Sequence, residues 1–132
     1  MKTEGLQLEA TELETFDAIL RQTIMAFKTA ARILQLVYAR NRFDAQPIEE
    51  GFGLEEQTVL EKLNQTLEGK TQKQQNPFPT NQLSWAVWVI ARLGGWKGYQ
   101  SQRPPGPITI LRGLQKFEIY AKAFELFNPP DG

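Results

Sequence analysis

Apolar residues recur at intervals of three and four from about Leu13 to Asn41. Leu13, Phe16, Leu20, Ile24, Phe27, Ala31, Leu34 and Tyr38 form one stripe, widened by Ile19, Ala30 and Val37, while Glu14, Arg21, Lys28 and Arg32 fall largely elsewhere. That spacing predicts an amphipathic helix of about seven or eight turns. Thr11 is a candidate cap, with Glu14 three residues on completing a capping box. Met25, Ile33 and Leu36 make the apolar face broader than a surface helix needs. This predicts a central helix packed on more than one side, or one that meets a second domain.

Pro47, Gly51 and Gly53 break the pattern, and Leu54, Val59, Leu60, Leu63 and Leu67 then mark a shorter helix over Leu54–Leu67, with Gly69 as its terminator. Residues 70–82, KTQKQQNPFPTNQ, are polar and carry two prolines, which predicts an exposed, linker-like loop in which Phe78 is a candidate anchor. A third helix is predicted over Leu83–Leu93, where Trp85 and Trp88 read as core, and Gly94-Gly95 should stop it. After a Gly- and Pro-rich loop from Trp96 to Pro107, a last helix follows from about Ile108 to Phe127 with Leu111, Leu114, Phe117, Ala121 and Phe124 as its stripe. Asn128-Pro129-Pro130 ends it. No β-alternation of useful length and no internal repeat appears. The expected fold is all-α, an irregular bundle of about four helices with a long first one, in a single domain over residues 1–132.

Composition narrows the chemistry. The 132 residues suit one domain, and 8 Phe, 3 Trp and 3 Tyr supply a core without staples. No Cys and no His are present, which excludes disulfides, thiolate metal sites and imidazole catalysis. Glu9, Glu12, Glu14 and the pairs Glu49-Glu50 and Glu55-Glu56 read as caps and solvated charge rather than metal ligands converging from separate elements. The polar, acidic N-terminus does not fit a signal peptide, and Lys and Arg interrupt every apolar run well short of a membrane span. The expectation is a cytoplasmic protein with no membrane partner, no metal site and no cofactor of its own.

Formal net charge is zero, but it is unevenly spread: −4 over residues 1–20, −1 over 21–68 and +5 over 69–132. The basic third contains ARLGGWKGYQSQRPPGPITILRG, Ala91–Gly113, where Arg92, Lys97, Arg103 and Arg112 interleave with Trp96 and Tyr99, and Lys116 and Lys122 follow. Such a loop between helices could hold a phosphate backbone. The plain alternative is a turn whose Trp96 closes the core.

This same stretch, WAVWVIARLGGWKGYQSQRPPGPITILRGLQKFEIYAKAF, resembles the C-terminal domain of bacterial DDE transposases, the insertion-sequence family that includes the transposon Tn-five transposase. The resemblance rests on Ala91-Arg92-Leu93-Gly94-Gly95-Trp96, then Pro105-Gly106-Pro107, then Leu111-Arg112-Gly113-Leu114-Gln115. GLQLEATELET, Gly5–Thr15, and ILQLVYARN, Ile33–Asn41, resemble the segment beyond the family's last catalytic motif and the helix that follows it. The likeness is strongest over Leu83–Phe127 and weakest over Phe43–Gln82.

The resemblance implies a piece that lacks the RNase H-like catalytic core. In the family's Tyr–Arg–Glu–Lys motif the Glu lies seven residues before the Lys. If Lys2 is that Lys, the Glu lies before Met1 and the chain is a fragment. Catalysis by this chain alone is not expected; Mg or Mn belongs to the full-length parent. The implied role is a non-catalytic assembly or dimerisation domain of a cut-and-paste transposase. It would support the synaptic complex by self-association or by contact with the rest of the transposase, with double-stranded DNA as a further partner. Candidate DNA contacts are Lys2, Arg92, Lys97, Arg103, Arg112 and Lys116; candidate dimer-face residues are Phe117, Tyr120, Phe124 and Phe127. Two other readings of the residues stand beside it: a stand-alone basic helical module that binds nucleic acid, and a helical protein-interaction domain unrelated to DNA.

Overall fold

Leu83–Leu93 is apolar nearly all round, which in a soluble protein demands burial on every side. In the computed structural model, which describes residues 9–40, 46–99 and 103–128, that segment is the central helix. The fold is an all-α bundle of four helices, with no strand among the described residues. They are α1 (Ala10–Ala39), α2 (Leu54–Leu67), α3 (Leu83–Leu93) and α4 (Pro107–Phe127), with 3₁₀ turns at Ile48–Glu50 and Gln72–Gln74. The chain divides into two compact units, Met1–Arg32 and Ile33–Gly132.

The second unit is built around α3, whose residues Leu83 to Ala91 are all buried. Val59 and Leu60 of α2 and Ile110, Leu114 and Phe117 of α4 complete the core with Leu36, Ala39, Ile48 and Phe52. Phe52 meets Phe117 edge-on, with ring centroids 5.7 Å apart, the arrangement favoured by the ring quadrupoles. The first turn of α3 leaves amides to satisfy. The Leu83 amide donates to Gln46 O at 2.7 Å, and nearby the Ile48 amide donates to Asn81 O at 2.9 Å.

The α3–α4 crossing is closer than side chains permit. A Cβ on Gly113 would overlap the carbonyl of Ile90, and one on Gly94 would overlap the carbonyl of Thr109. Here the two backbones touch directly, which only glycine allows. The end of α3 is a Schellman motif. Gly95 takes φ +103°, the Trp96 amide donates to Ala91 O at 3.0 Å and the Gly95 amide to Arg92 O at 3.1 Å. The glycine pair thus divides two tasks: Gly95 turns the chain and Gly94 admits α4.

The loop over residues 70–82 is mostly exposed, as its composition suggests, but it is pinned. The Asn76 side-chain amide donates to Asn64 Oδ1 and to Trp85 O, each at 3.1 Å, and its backbone amide donates to Glu68 Oε2 at 2.8 Å. Phe78 packs against the core.

The long first helix departs from expectation. Thr11 is not its cap: the helix begins at Ala10, the Leu13 amide donates to Glu9 O, and the Thr11 carbonyl accepts from the Thr15 hydroxyl. Nor is α1 the central helix, a place α3 takes. In the first unit, every residue from Ala10 to Ala31 is exposed. In the second unit, Leu36 and Ala39 are buried and Ile33 and Val37 pack against the core, while Leu34 and Tyr38 are exposed. At about 100° per residue, Leu36 and Ala39 lie on the side of the helix roughly opposite Leu34 and Tyr38. Within Ile33–Ala39 the core therefore takes one side of the helix and leaves Leu34 and Tyr38, on the other, in water.

The glycine crossing predicts that Gly113→Ala lowers the stability by about 1–3 kcal/mol or more through overpacking. Phe127→Ala, at an exposed end, should stay within about 0.5 kcal/mol of the parent. Urea-unfolding midpoints of the two variants check this, and an unchanged midpoint for Gly113→Ala would refute the backbone contact.

Candidate functional site

The basic stretch between α3 and α4 is organised by Arg92. Its guanidinium sits over the Trp88 ring, 5.6 Å from the centroid. One terminal nitrogen donates to Trp96 O and Lys97 O, each at 3.2 Å, and the other to Leu67 O at 2.8 Å. Its Nε is buried without a hydrogen-bond partner. Gly98, at φ +86°, lies so close that a Cβ would crowd the Arg92 Cδ. The arginine thus ties the end of α2 to the turn after α3, satisfying three carbonyls with one planar donor group.

The far side of the loop is held separately. Trp96 Nε1 donates to Arg103 O at 3.0 Å, and an Arg40 terminal nitrogen donates to Pro105 O at 2.7 Å. Arg40 is a structural residue that sequence reasoning missed, and no local pattern marks it, because its partner lies 65 residues away. Leu67, Gly69, Gln74, Arg92, Lys97 and Tyr99 line a shallow cleft of about 280 Å³ beside this loop.

The candidate DNA contacts separate into three groups. Lys2 lies outside the described residues. Arg92 is engaged within the protein, so its donors are turned inward. Lys97, Arg103, Arg112 and Lys116 are exposed. The Trp96–Arg103 bond brings the backbone of Arg103 beside the Trp96 ring. Arg112 and Lys116 are four residues apart on α4 and share a face. These four present charge that a phosphate could use, Lys97 from the lining of the shallow cleft. No group of three or more potential metal-binding residues occurs among the described residues, and no helix there is long and apolar enough to cross a membrane.

The candidate dimer face also divides. Phe117 is 0% exposed and belongs to the core, and Phe124 packs partly against it. The two are seven residues apart and point inward together. Tyr120 and Phe127, rotated by about 60° from that pair, are 49% and 78% exposed. Ile119 and Leu126, also seven residues apart and exposed, extend that outer face. Their spacing was the available signal, hidden because aromatic residues dominate the stripe. Phe117 therefore cannot serve as a contact without opening the core.

No family model matches the chain, and no curated protein and no solved structure matches it.

The arginine geometry predicts that Arg92→Lys destabilises the protein by about 2 kcal/mol or more, since a lysine cannot reach three carbonyls in one plane. Lys97→Ala should stay within about 0.5 kcal/mol. Thermal unfolding of both variants measures the difference, and equal midpoints would show that Arg92 is not the tie.

Proposed function

We propose that the chain is a non-catalytic assembly domain of a cut-and-paste DNA transposase, one that self-associates or joins the rest of the transposase and touches the DNA backbone. The observation that carries the assembly part is the apolar surface left in water: Ile119, Tyr120, Leu126 and Phe127 on α4 are all about half exposed or more. Contiguous exposed apolar residues of this kind mark contacts with other macromolecules. The transposase part is supported by the resemblance of Ala91–Trp96 and Leu111–Gln115. The roles of Gly94, Gly95, Arg92 and Gly113 in that stretch are architectural, so the likeness speaks to a shared way of packing two helices. The lack of His and Cys leaves little for catalysis by this chain, and the divalent metal of the reaction belongs to the parent enzyme. Lys97, Arg103, Arg112 and Lys116 are the residues proposed to meet phosphates.

Light scattering over a concentration series should show self-association, and a strictly monomeric chain would remove the dimer part. DNA binding should be weak and salt-dependent. With four phosphate contacts, log K should fall with log salt at a slope of about −3 to −4. Replacing Arg112 and Lys116 together by Ala should flatten that slope by about two. No retained complex in a low-salt gel shift would remove the DNA part and favour a helical interaction domain unrelated to DNA. An in-frame Tyr–Arg–Glu motif encoded just upstream of Met1 would tie the chain to the transposases directly.

A further inference from the structure

The stripe on α1 is the largest feature that the fold leaves unused. Leu13, Leu20, Phe27 and Leu34 recur every seven residues, Phe16 and Ile24 flank them, and all six are about half exposed or more, Phe27 at 72%. Helices in water draw most of their stability from packing an apolar face. Within the second unit, Leu36 and Ala39 face the core while Leu34, at the end of the stripe, stays exposed. A seven-residue apolar repeat is the geometry of helices that wind around one another.

We propose that this stripe is an interface between two copies of the chain, whose α1 helices pair antiparallel. The charge along the helix selects both the partner and the direction. Residues 10–20 carry Glu12, Glu14 and Asp17 and no base, whereas residues 21–39 carry Arg21, Lys28 and Arg32 and no acid. A parallel pair would set acid against acid and base against base. An antiparallel pair sets each end against its opposite. These charges flank the stripe rather than lie in it, so they choose orientation more than strength. The side chains also complement one another about a two-fold axis between Thr23 and Ile24. Leu13 then faces Leu34, Leu20 faces Phe27, and bulky Phe16 faces small Ala31. Such a contact is isologous and closes as a dimer. It rests on the assembly reading in requiring self-association, and it places that contact on α1 rather than on α4.

The test uses the full 132-residue chain, which contains no cysteine and so accepts single reporters. Light scattering should find a dimer that dissociates on dilution. Leu20→Lys combined with Phe27→Lys should weaken it by at least about 100-fold, with the α3–α4 core intact by tryptophan fluorescence. Tyr120→Lys combined with Phe127→Lys should leave the dimer in place. Mild oxidation should cross-link Thr23→Cys into a covalent dimer and leave Leu13→Cys monomeric. A dimer lost in the α4 variant and kept in the α1 variant would overturn this proposal while the assembly reading stands. A parent chain that stays monomeric throughout would overturn both. Cross-linking of Leu13→Cys in preference to Thr23→Cys would overturn the antiparallel arrangement.

Discussion

Two helical segments can bring their backbones into contact only where one of them carries no side chain at the point of approach. Gly94 and Gly113 meet that condition, each facing a carbonyl of the other segment. The rest of the second unit follows from this crossing. With α4 drawn onto α3, Ile110, Leu114 and Phe117 reach the core, and Phe117 meets Phe52 on the other side of it. The crossing also fixes where α3 must stop, because Gly95 has to turn the chain immediately after Gly94 has made its contact.

Polar groups then lock what the crossing positions. Arg92 gathers the carbonyls of Leu67, Trp96 and Lys97, and Asn76 gathers Asn64, Trp85 and Glu68. Each ties a loop to a helix by satisfying groups that burial would otherwise leave unpaired, where a missing partner costs more than a made bond gains. The consequence for function is that the most conspicuous motif in the chain serves mainly its own architecture. Charge available to a partner lies at its edges, on Lys97, Arg103, Arg112 and Lys116.

Apolar surface tells a complementary story. The core draws on Leu83–Ala91 of α3, the inner faces of α2 and α4, and Leu36 and Ala39 of α1, yet other residues of α1 and the end of α4 keep large side chains in water. Contiguous exposed apolar residues are the kind of surface that contacts with other macromolecules cover. Both proposed roles, assembly within a transposase and pairing through α1, start from that surplus.

Much of the fold was legible in the residues because local physics dictates it. Periodicity placed α2 and α3, Pro107 and Asn128-Pro129 bracketed α4, and the Gly94-Gly95 pair announced the end of α3. Of the candidate DNA contacts, only exposure was legible: Lys97, Arg103, Arg112 and Lys116 lie on the surface, as a basic loop and helix face suggest. What periodicity could not decide was which side of a helix the core would occupy. At the end of α1, Leu34 and Tyr38 of the conspicuous stripe and the buried pair Leu36 and Ala39 lie on opposite sides, and a repeat reports that a face is apolar without naming what covers it. The same holds for Phe117 and Phe127, both candidates for one dimer face, which end in the core and in water. Arg92 reads as a free cation in the sequence. Only the tertiary structure turns it inward, because the three carbonyls it satisfies come from segments as far as 25 residues away.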